Sequence, residues 1–269
     1  MAEVHEKKNE VEEAAAYVRK LPGNKSIVVS NMVFQYEGPR SPKVLNNISL
    51  DIPENQTTAI VGTSGSGKTT LIKLLLGFYP LVEGEIKVGG TRLANISPKV
   101  WRENCGVVMQ DGFIFSDTIV KNIVATDAEI NEERLLHAVK MANIQDYIES
   151  LPLSYNTKIG QEGVGLSQGQ KQRILIARAI YKNPSYLFFD EATNALDANN
   201  ERMIMENMGQ FSKGKTVVVV AHRLSTVKNA GQIVVLEKGE IVESGKHQEL
   251  IDKKGKYYEL VKNQLELGN

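Results

Sequence analysis

The clearest pattern in the chain is a set of four short apolar runs without polar interruption. They occupy residues 59–61, 107–109, 187–189 and 217–220. Such runs are typical of strands buried on both faces, as in a parallel sheet covered by helices. The residues that follow them are Gly62, Gln110, the pair Asp190-Glu191, and His222. Because ligands of open α/β sheets bind beyond the carboxyl ends of the strands, we expect these four ends to form one site.

The other patterns along the chain are weaker. Alternating apolar and polar residues between positions 27 and 52, and again at 85–90, predict a small antiparallel sheet. Apolar residues at helical spacing over 127–151 predict helical structure. Residues 2–19 are rich in Glu, Lys and Ala, and a Leu-Pro-Gly-Asn sequence follows at 21–24. This opening predicts a solvated helix or tether ahead of the folded body.

Composition sets limits on the class of protein. A chain of 269 residues, 42% of them hydrophobic, can bury a sizeable core. The 32 Lys and Arg residues balance the 32 Asp and Glu residues, which argues against nucleic-acid binding through bulk charge. Cys105 is the single cysteine and fits a reducing compartment. With neither a long apolar segment nor an apolar signal core in view, we expect a cytosolic α/β protein.

Residues 62–69 read GTSGSGKT and fit the phosphate-loop pattern G-x-x-x-x-G-K-[ST]. In this pattern the glycines turn backbone N–H groups towards phosphate oxygens, Lys68 adds a cation at the β- and γ-phosphates, and the Thr69 hydroxyl binds Mg²⁺. A Gly/Ser linker is the alternative interpretation. An apolar strand precedes the loop and a helical segment, 70–76, follows it up to Gly77, so we predict a nucleoside triphosphate site.

Asp190 and Glu191 form an acidic pair at the end of the third apolar run. Asp190 can hold Mg²⁺ through its water shell, which leaves Glu191 free to polarise an attacking water. An exposed turn is the alternative interpretation of the pair. His222 could equally be a hydrogen-bonded core residue, Gln110 a turn residue, and Tyr36 a buried residue of the small sheet.

A further segment indicates a family. Residues 166–178 read LSQGQKQRILIAR, and Ser167 and Gln170 have the spacing of a capping box at a helix start. The segment also resembles the signature sequence and helix of ATP-binding cassette proteins, and other motifs of that family follow in order over residues 27–266. The resemblance implies an α/β fold: a P-loop NTPase (RecA-like) core with a mainly parallel sheet, a small antiparallel β subdomain, and an α-helical subdomain inserted at about 111–181.

The resemblance also implies a site for ATP and Mg²⁺. The catalytic residues would be Lys68, Glu191 as the base, and His222 at the γ-phosphate. The magnesium ligands would be Thr69, Gln110 and Asp190. The nucleotide-binding residues would be Tyr36 as the adenine-stacking aromatic, with Val44, Gly62, Thr63, Ser64, Gly65, Ser66, Gly67, Lys68, Thr69, Thr70, Gln110, Ser167, Gly169 and Gln170. Gln168 departs from the family pattern, in which a glycine is usual, whereas Ser167 and Gly169 match it.

Several segments resemble exporters in particular. They are residues 221–226, the tail from 235 to 260, and the loop 157–163, in which Gln161 replaces the usual glutamate and puts details of coupling in doubt. The resemblance implies an ATPase that drives export, with residues 1–24 as a tether from a transmembrane domain and 25–269 as the nucleotide-binding domain. It favours a peptide or bacteriocin cargo over a lipid or a drug.

The expected partners are a second copy, in a head-to-tail dimer that residues 195–197 cross and that sandwiches ATP, and the transmembrane domain of the same exporter. No nucleic acid is expected, and the expected location is the cytoplasmic side of the cell membrane. The alternative function is a soluble cassette ATPase of nucleic-acid repair or translation. A GTPase would carry an Asn-Lys-x-Asp guanine reader, which the sequence lacks.

Overall fold

The computed structural model describes residues 17–38, 40–125, 129–161, 163–192, 196, 198–221 and 227–267. Its strands are β1 (Ile27–Phe34), β2 (Leu45–Ile52), β3 (Thr57–Val61), β4 (Glu83–Val88), β5 (Thr91–Arg92), β6 (Cys105–Val108), β7 (Asp117–Thr118), β8 (Lys158–Ile159), β9 (Tyr186–Asp190), β10 (Thr216–Val220), β11 (Gln232–Glu237) and β12 (Glu240–Gly245). Its α-helices are α1 (Lys68–Leu75), α2 (Pro98–Asn104), α3 (Ile119–Val124), α4 (Glu132–Met141), α5 (Gln145–Ser150), α6 (Gln168–Lys182), α7 (Ala198–Phe211), α8 (His247–Lys253) and α9 (Lys256–Leu267).

The central sheet has the strand order β12-β11-β3-β10-β9-β6. Strands β11, β3, β10, β9 and β6 run parallel, and β12 is antiparallel to β11. The four apolar runs are β3, β6, β9 and β10, as predicted, although β6 ends at Val108, one residue early. The carboxyl ends of β3, β10 and β9 are neighbours, since Val220 pairs with both Ile60 and Asp190.

Both faces of this sheet are covered, which explains why the strands are apolar at successive positions. Ala59, Val219 and Phe189 belong to a core that includes α3 to α7. Ile60, Val218 and Phe188 belong to a second core with α1 and the antiparallel sheet. Because side chains alternate between the two faces along a strand, every residue must be apolar when both faces are buried.

The predicted antiparallel sheet is present, with the order β2-β1-β4-β5. Its first strand is irregular near Asn31, which has a positive φ of 47°. The register shift there leaves Met32, Val33 and Phe34 all buried, and β1 ends at Phe34. Tyr36 therefore lies just beyond the strand and is half-exposed, not buried in the sheet.

The predicted helical region 127–151 contains two helices, α4 and α5. They are separated at Asn143, which has a positive φ of 51°. Helices α3 and α4 pack against α6, which in turn contacts β6. Apart from Lys182, the last residue of α6, these helices lie within the predicted subdomain 111–181, whose boundaries stay a prediction.

The N-terminal segment is described from residue 17 onwards. Within the predicted tether 1–24, residues 17–24 form no helix, and Val18 forms a parallel bridge with Ile96. The backbone N–H of Val18 donates to Asn95 O at 2.8 Å. The described part of the chain contains no helix with the length and hydrophobicity that crossing a bilayer requires.

Candidate functional site

The phosphate loop, residues 62–67, joins β3 to α1 and is shaped by its glycines. A Cβ at Gly62 would lie 2.1 Å from Leu236 O, and one at Gly67 would lie 2.6 Å from Leu45 Cδ2. These positions therefore have no room for a side chain. Gly65 has a positive φ of 77° and no neighbour within 4 Å of a built Cβ. The loop thus lies against the core at its two ends and is open in its middle, where phosphate would enter.

Lys68, the first residue of α1, has its ammonium group inside the loop. The side chain is only 6% exposed, and Nζ donates to Gly62 O at 2.9 Å and to Thr63 O at 2.8 Å. Burial lowers the pKa of Lys68, while the negative charges of Glu191 and Asp190 oppose this shift. The ammonium group therefore lies inside the loop, where it is positioned for phosphate oxygens.

Asp190, at the end of β9, supplies an unusual buried carboxylate. It is 1% exposed, and its Oδ1 has no hydrogen-bond partner within the described part of the chain. Burial raises the pKa of Asp190, and a hydrogen bond from the Thr69 side chain opposes that shift. An unsatisfied carboxylate oxygen is costly unless a ligand completes it. A carboxylate beside a hydroxyl is an oxygen donor set that fits Mg²⁺.

Glu191 lies next to Asp190 in a backbone conformation uncommon for a residue with a side chain, with φ of 52°. Its N–H donates to Val220 O at 3.3 Å, and its carbonyl accepts from Gln172 Nε2 at 3.0 Å. The buried Gln172 thus connects α6 to the acidic pair. Sequence analysis did not identify Gln172 as a site residue, because a glutamine within a helix carries no distinguishing signal.

Ser167 and Gln170 form the predicted capping box at the start of α6. The N–H of Ser167 donates to Gln170 Oε1 at 2.8 Å, and the N–H of Gln170 donates to Ser167 Oγ at 3.2 Å. Ser167 and Gln168 are exposed, and Gly169 is half-buried. The start of this 15-residue helix therefore presents its positive end at the surface.

Of the other predicted site residues, the structure describes Gln110 and Val44 but not His222. Gln110 borders a groove of about 260 Å³ together with Glu191, Gln172 and Gln168. The carbonyl of Val44 lies 3.1 Å from a Cβ built at Gly67, so the Val44 backbone packs against the phosphate loop, and its contact with nucleotide stays a prediction. His222, residues 195 and 197 of the predicted interface loop, and residues 222–226 of the exporter-like segment lie outside the described residues.

Tyr36 lies just beyond the end of β1 and contacts α1. The side chain is 48% exposed, and its hydroxyl is 2.9 Å from Thr70 Oγ1. Thr70 is on the first turn of α1, directly after Lys68 and Thr69. The structure therefore brings Tyr36 next to the predicted phosphate-binding residues, with part of its ring available to a ligand.

Comparison with known proteins assigns the family. A family model described as ABC transporter matches residues 45–194, more than half of the chain. The chain belongs to the ABC transporter family. The predicted family is thus confirmed, and with it the P-loop NTPase fold.

The relatives are components of exporters. The leukotoxin export ATP-binding protein LtxB of Aggregatibacter actinomycetemcomitans is 49% identical over 228 residues, which cover 84% of this chain and 32% of that protein. The leukotoxin translocation ATP-binding protein LktB of Mannheimia glucosida is 46% identical over 241 residues, covering 90% of this chain and 34% of that protein. The chain therefore spans about a third of the length of these relatives.

A solved structure is similar as well. The structure of a bacterial Atm1-family ABC exporter with ATP bound aligns with a TM-score of 0.91 and 35% sequence identity. The alignment covers 98% of this chain and 46% of that one. Nearly all of this chain therefore shares its fold with a little under half of that exporter chain.

Asp190→Asn is expected to raise the stability of the metal-free chain at neutral pH. Because the folded state raises the pKa of this carboxyl, the ionised form at pH 7 costs folding free energy that a neutral amide avoids. The advantage should shrink as the pH falls through the raised pKa, where the parent carboxyl also becomes neutral. Melting temperatures of both chains between pH 7 and pH 4, with chelator, would measure this. A variant less stable at pH 7 would contradict it.

Proposed function

We propose that this chain binds and hydrolyses Mg²⁺-ATP as the motor domain of an exporter. The observation that supports the site best is that groups following two strands of the central sheet lie close enough for the charge of Asp190 to act on Lys68. Lys68, buried after β3, provides a cation for phosphate, and Asp190 at the end of β9 provides an oxygen for Mg²⁺, since its Oδ1 has no hydrogen-bond partner among the described residues. A catalytic base candidate, Glu191, is the next residue.

Each residue has a distinct task in this proposal. The loop 62–67 and Lys68 bind the β- and γ-phosphates, and Tyr36 stacks on adenine, a contact worth about 1–3 kcal/mol. Thr69, Asp190 and Gln110 would hold Mg²⁺, which when bound neutralises charge on the phosphates. Glu191 accepts a proton from the attacking water, and His222 contacts the γ-phosphate. Catalysis then rests mainly on positioning and on charge stabilisation.

A second copy of the chain would complete the site. The exposed helix start at Ser167 offers N–H groups and a hydroxyl to an anion, and Gly169 allows close approach. We propose that it contacts the γ-phosphate of ATP held by the other copy, in a head-to-tail dimer with two nucleotides. The γ-phosphate thereby stabilises the closed dimer, and hydrolysis removes that stabilisation.

The exporter assignment is supported by the names of the relatives, which refer to leukotoxin export and translocation. Since the chain covers about a third of those proteins, the transmembrane domain, the export step and the cargo belong to the proposal. We propose a peptide or protein cargo, a location at the cytoplasmic side of the membrane, a tether at residues 1–24, and a nucleotide-binding domain at 25–269 with its helical subdomain at about 111–181.

The head-to-tail dimer can be tested with Ser167→Arg in a Glu191→Gln background. The Glu191→Gln chain should dimerise when Mg²⁺-ATP is added, because bound ATP persists. The added arginine should prevent this dimer by filling the space next to the γ-phosphate, while ATP still binds each monomer through its own loop. Size-exclusion chromatography with light scattering and ATP titration would measure both properties.

A milder substitution serves as the control for that test. Ser167→Ala removes the capping hydroxyl, at a cost of about 1 kcal/mol to the helix, without adding bulk. It should weaken the dimer less than Ser167→Arg does. Equal dimerisation of the Arg variant and its parent would contradict the proposed partner contact. Stimulation of ATP hydrolysis by DNA or RNA would favour a soluble ATPase of nucleic-acid repair or translation.

A further inference from the structure

Tyr36 belongs to a cluster of three aromatic rings, which we call the ring cluster: Phe34, Tyr36 and Tyr79. The centroid of the Tyr36 ring lies 5.0 Å from that of Phe34 and 5.4 Å from that of Tyr79, with interplanar angles of 84° and 90°. Phe34 and Tyr79 are 5.6 Å apart. Edge-to-face pairs at these separations are favourable. Two perpendicular neighbours therefore restrict the rotation of a ring that is otherwise half-exposed.

Helix α1 contacts this cluster at both of its ends. At its start, Thr70 Oγ1 is 2.9 Å from the Tyr36 hydroxyl. At its end, the N–H of Gly77 donates to Leu74 O and the N–H of Phe78 donates to Lys73 O, which is the hydrogen-bond pattern of a Schellman turn. Gly77 has a positive φ of 75°, which a glycine adopts without strain. The chain reverses there and returns Tyr79 to the Tyr36 ring.

One rigid helix thus links the phosphate-binding residues to the Tyr36 ring. Lys68 and Thr69 begin α1, Thr70 holds the Tyr36 hydroxyl, and the turn after α1 supplies Tyr79. In an exposed tyrosine the ring must lose rotational freedom when a flat ligand stacks on it. Contacts that fix the ring in the free protein reduce this loss.

We propose that Tyr79 is a positioning residue for the nucleotide base: it holds the Tyr36 ring at a fixed distance and orientation from the phosphate loop. This inference rests on the proposed function, in which Tyr36 stacks on adenine. Tyr79 acts through Tyr36 and not on the phosphates. Tyr79 should therefore strengthen the binding of ligands that carry a base, and it should affect the rate of turnover less.

The test compares ATP with tripolyphosphate, which has the phosphates without the base. Tyr79→Ala should weaken ATP binding about 2- to 10-fold, the range expected for loss of one aromatic pair. The affinity for Mg²⁺-tripolyphosphate and kcat should stay unchanged. Tyr79→Phe, which keeps the ring, should bind ATP like the parent. Tyr79→Leu, which keeps bulk without the ring, guards against a folding defect in the alanine variant.

Two further variants decide whether Tyr79 acts through Tyr36. In a Tyr36→Ala background, adding Tyr79→Ala should cause no further loss of ATP affinity, because the ring to be positioned is gone. Phe78→Ala is the matched control: this neighbouring ring is 54% exposed, against 39% for Tyr79, and is outside the ring cluster. It should bind ATP like the parent.

The possible outcomes separate the inference from the proposed function. Additive losses in the double variant, an unaltered ATP affinity of Tyr79→Ala, or an equal loss for ATP and tripolyphosphate would each overturn the positioning role. A parent chain that binds neither ligand would overturn the proposed function itself. A loss confined to ATP and absent in the Tyr36→Ala background would establish the role.

Discussion

Glu191→Gln is expected to lower kcat for ATP hydrolysis about 10²- to 10⁴-fold, the usual contribution of a general base. The amide keeps the shape of the side chain but cannot accept the proton of the attacking water. Two contacts that place this residue use its backbone: its N–H donates to Val220 O and its carbonyl accepts from Gln172 Nε2. They remain in the variant, so binding of ATP should be intact. Single-turnover and steady-state phosphate release would measure the effect.

The same variant should form longer-lived dimers with ATP, since hydrolysis is the step that opens them. Glu206→Gln, an identical change at an exposed position of α7, is the matched control and should hydrolyse ATP at the parental rate. If the Glu191→Gln chain also retained that rate, the assignment of Glu191 as the base would be wrong. A loss of ATP affinity equal to the loss in kcat would indicate a binding role instead.

Short-range pattern was enough to predict much of this fold. The runs at 59–61, 187–189 and 217–220 became central strands because both faces of the sheet are covered, so burial alone requires apolar residues at every position. The loop 62–69 was also predictable, because its spacing of glycines, lysine and threonine follows from the geometry of phosphate binding. In these segments the local sequence pattern and the environment in the folded protein favour the same residue types.

Other features depend on contacts that are remote in sequence. The strand β11 was not predicted as part of the sheet, although its parallel pairing with β3 places Leu236 against Gly62. The ring contact of Tyr79 with Tyr36, 43 positions earlier, forms because α1 and the turn at Gly77 bring the two residues together. Similarly, Gln172 reaches Glu191 across 19 positions. Such pairings are set by packing, and a single sequence does not encode them locally.

Val44 stays a predicted nucleotide-binding residue, and the structure adds a backbone contact that the resemblance did not imply. The resemblance placed Val44 among the nucleotide-binding residues. In the structure its carbonyl borders both Gly67 and Gly239, where a built Cβ would lie 3.1 Å and 2.4 Å away. The N–H of Gly239 also donates to Ser66 O at 3.1 Å. The backbone of Val44 thus packs against the phosphate loop at Gly67 and against the turn at Gly239.

Lys68→Ala is expected to abolish hydrolysis and to weaken ATP binding by about 3 kcal/mol, roughly 10²-fold, through loss of charged hydrogen bonds to phosphate. In the free chain, Nζ bonds only to the carbonyls of Gly62 and Thr63 among the described contacts. Burial lowers the pKa of Lys68, so the ammonium group is held there at a cost in free energy. Its removal should therefore affect nucleotide binding far more than folding.

Thermal unfolding separates these two effects. Without nucleotide, Lys68→Ala should melt close to the parent, whereas the rise in melting temperature that saturating Mg²⁺-ATP causes in the parent should be lost. Lys121→Ala, a surface substitution on α3, is the control and should retain the full rise. An unchanged ATP-dependent rise in Lys68→Ala would mean that the loop 62–69 does not hold the triphosphate. The roles proposed for Asp190, Glu191 and Ser167 would then fail as well, because each assumes a triphosphate bound in this loop.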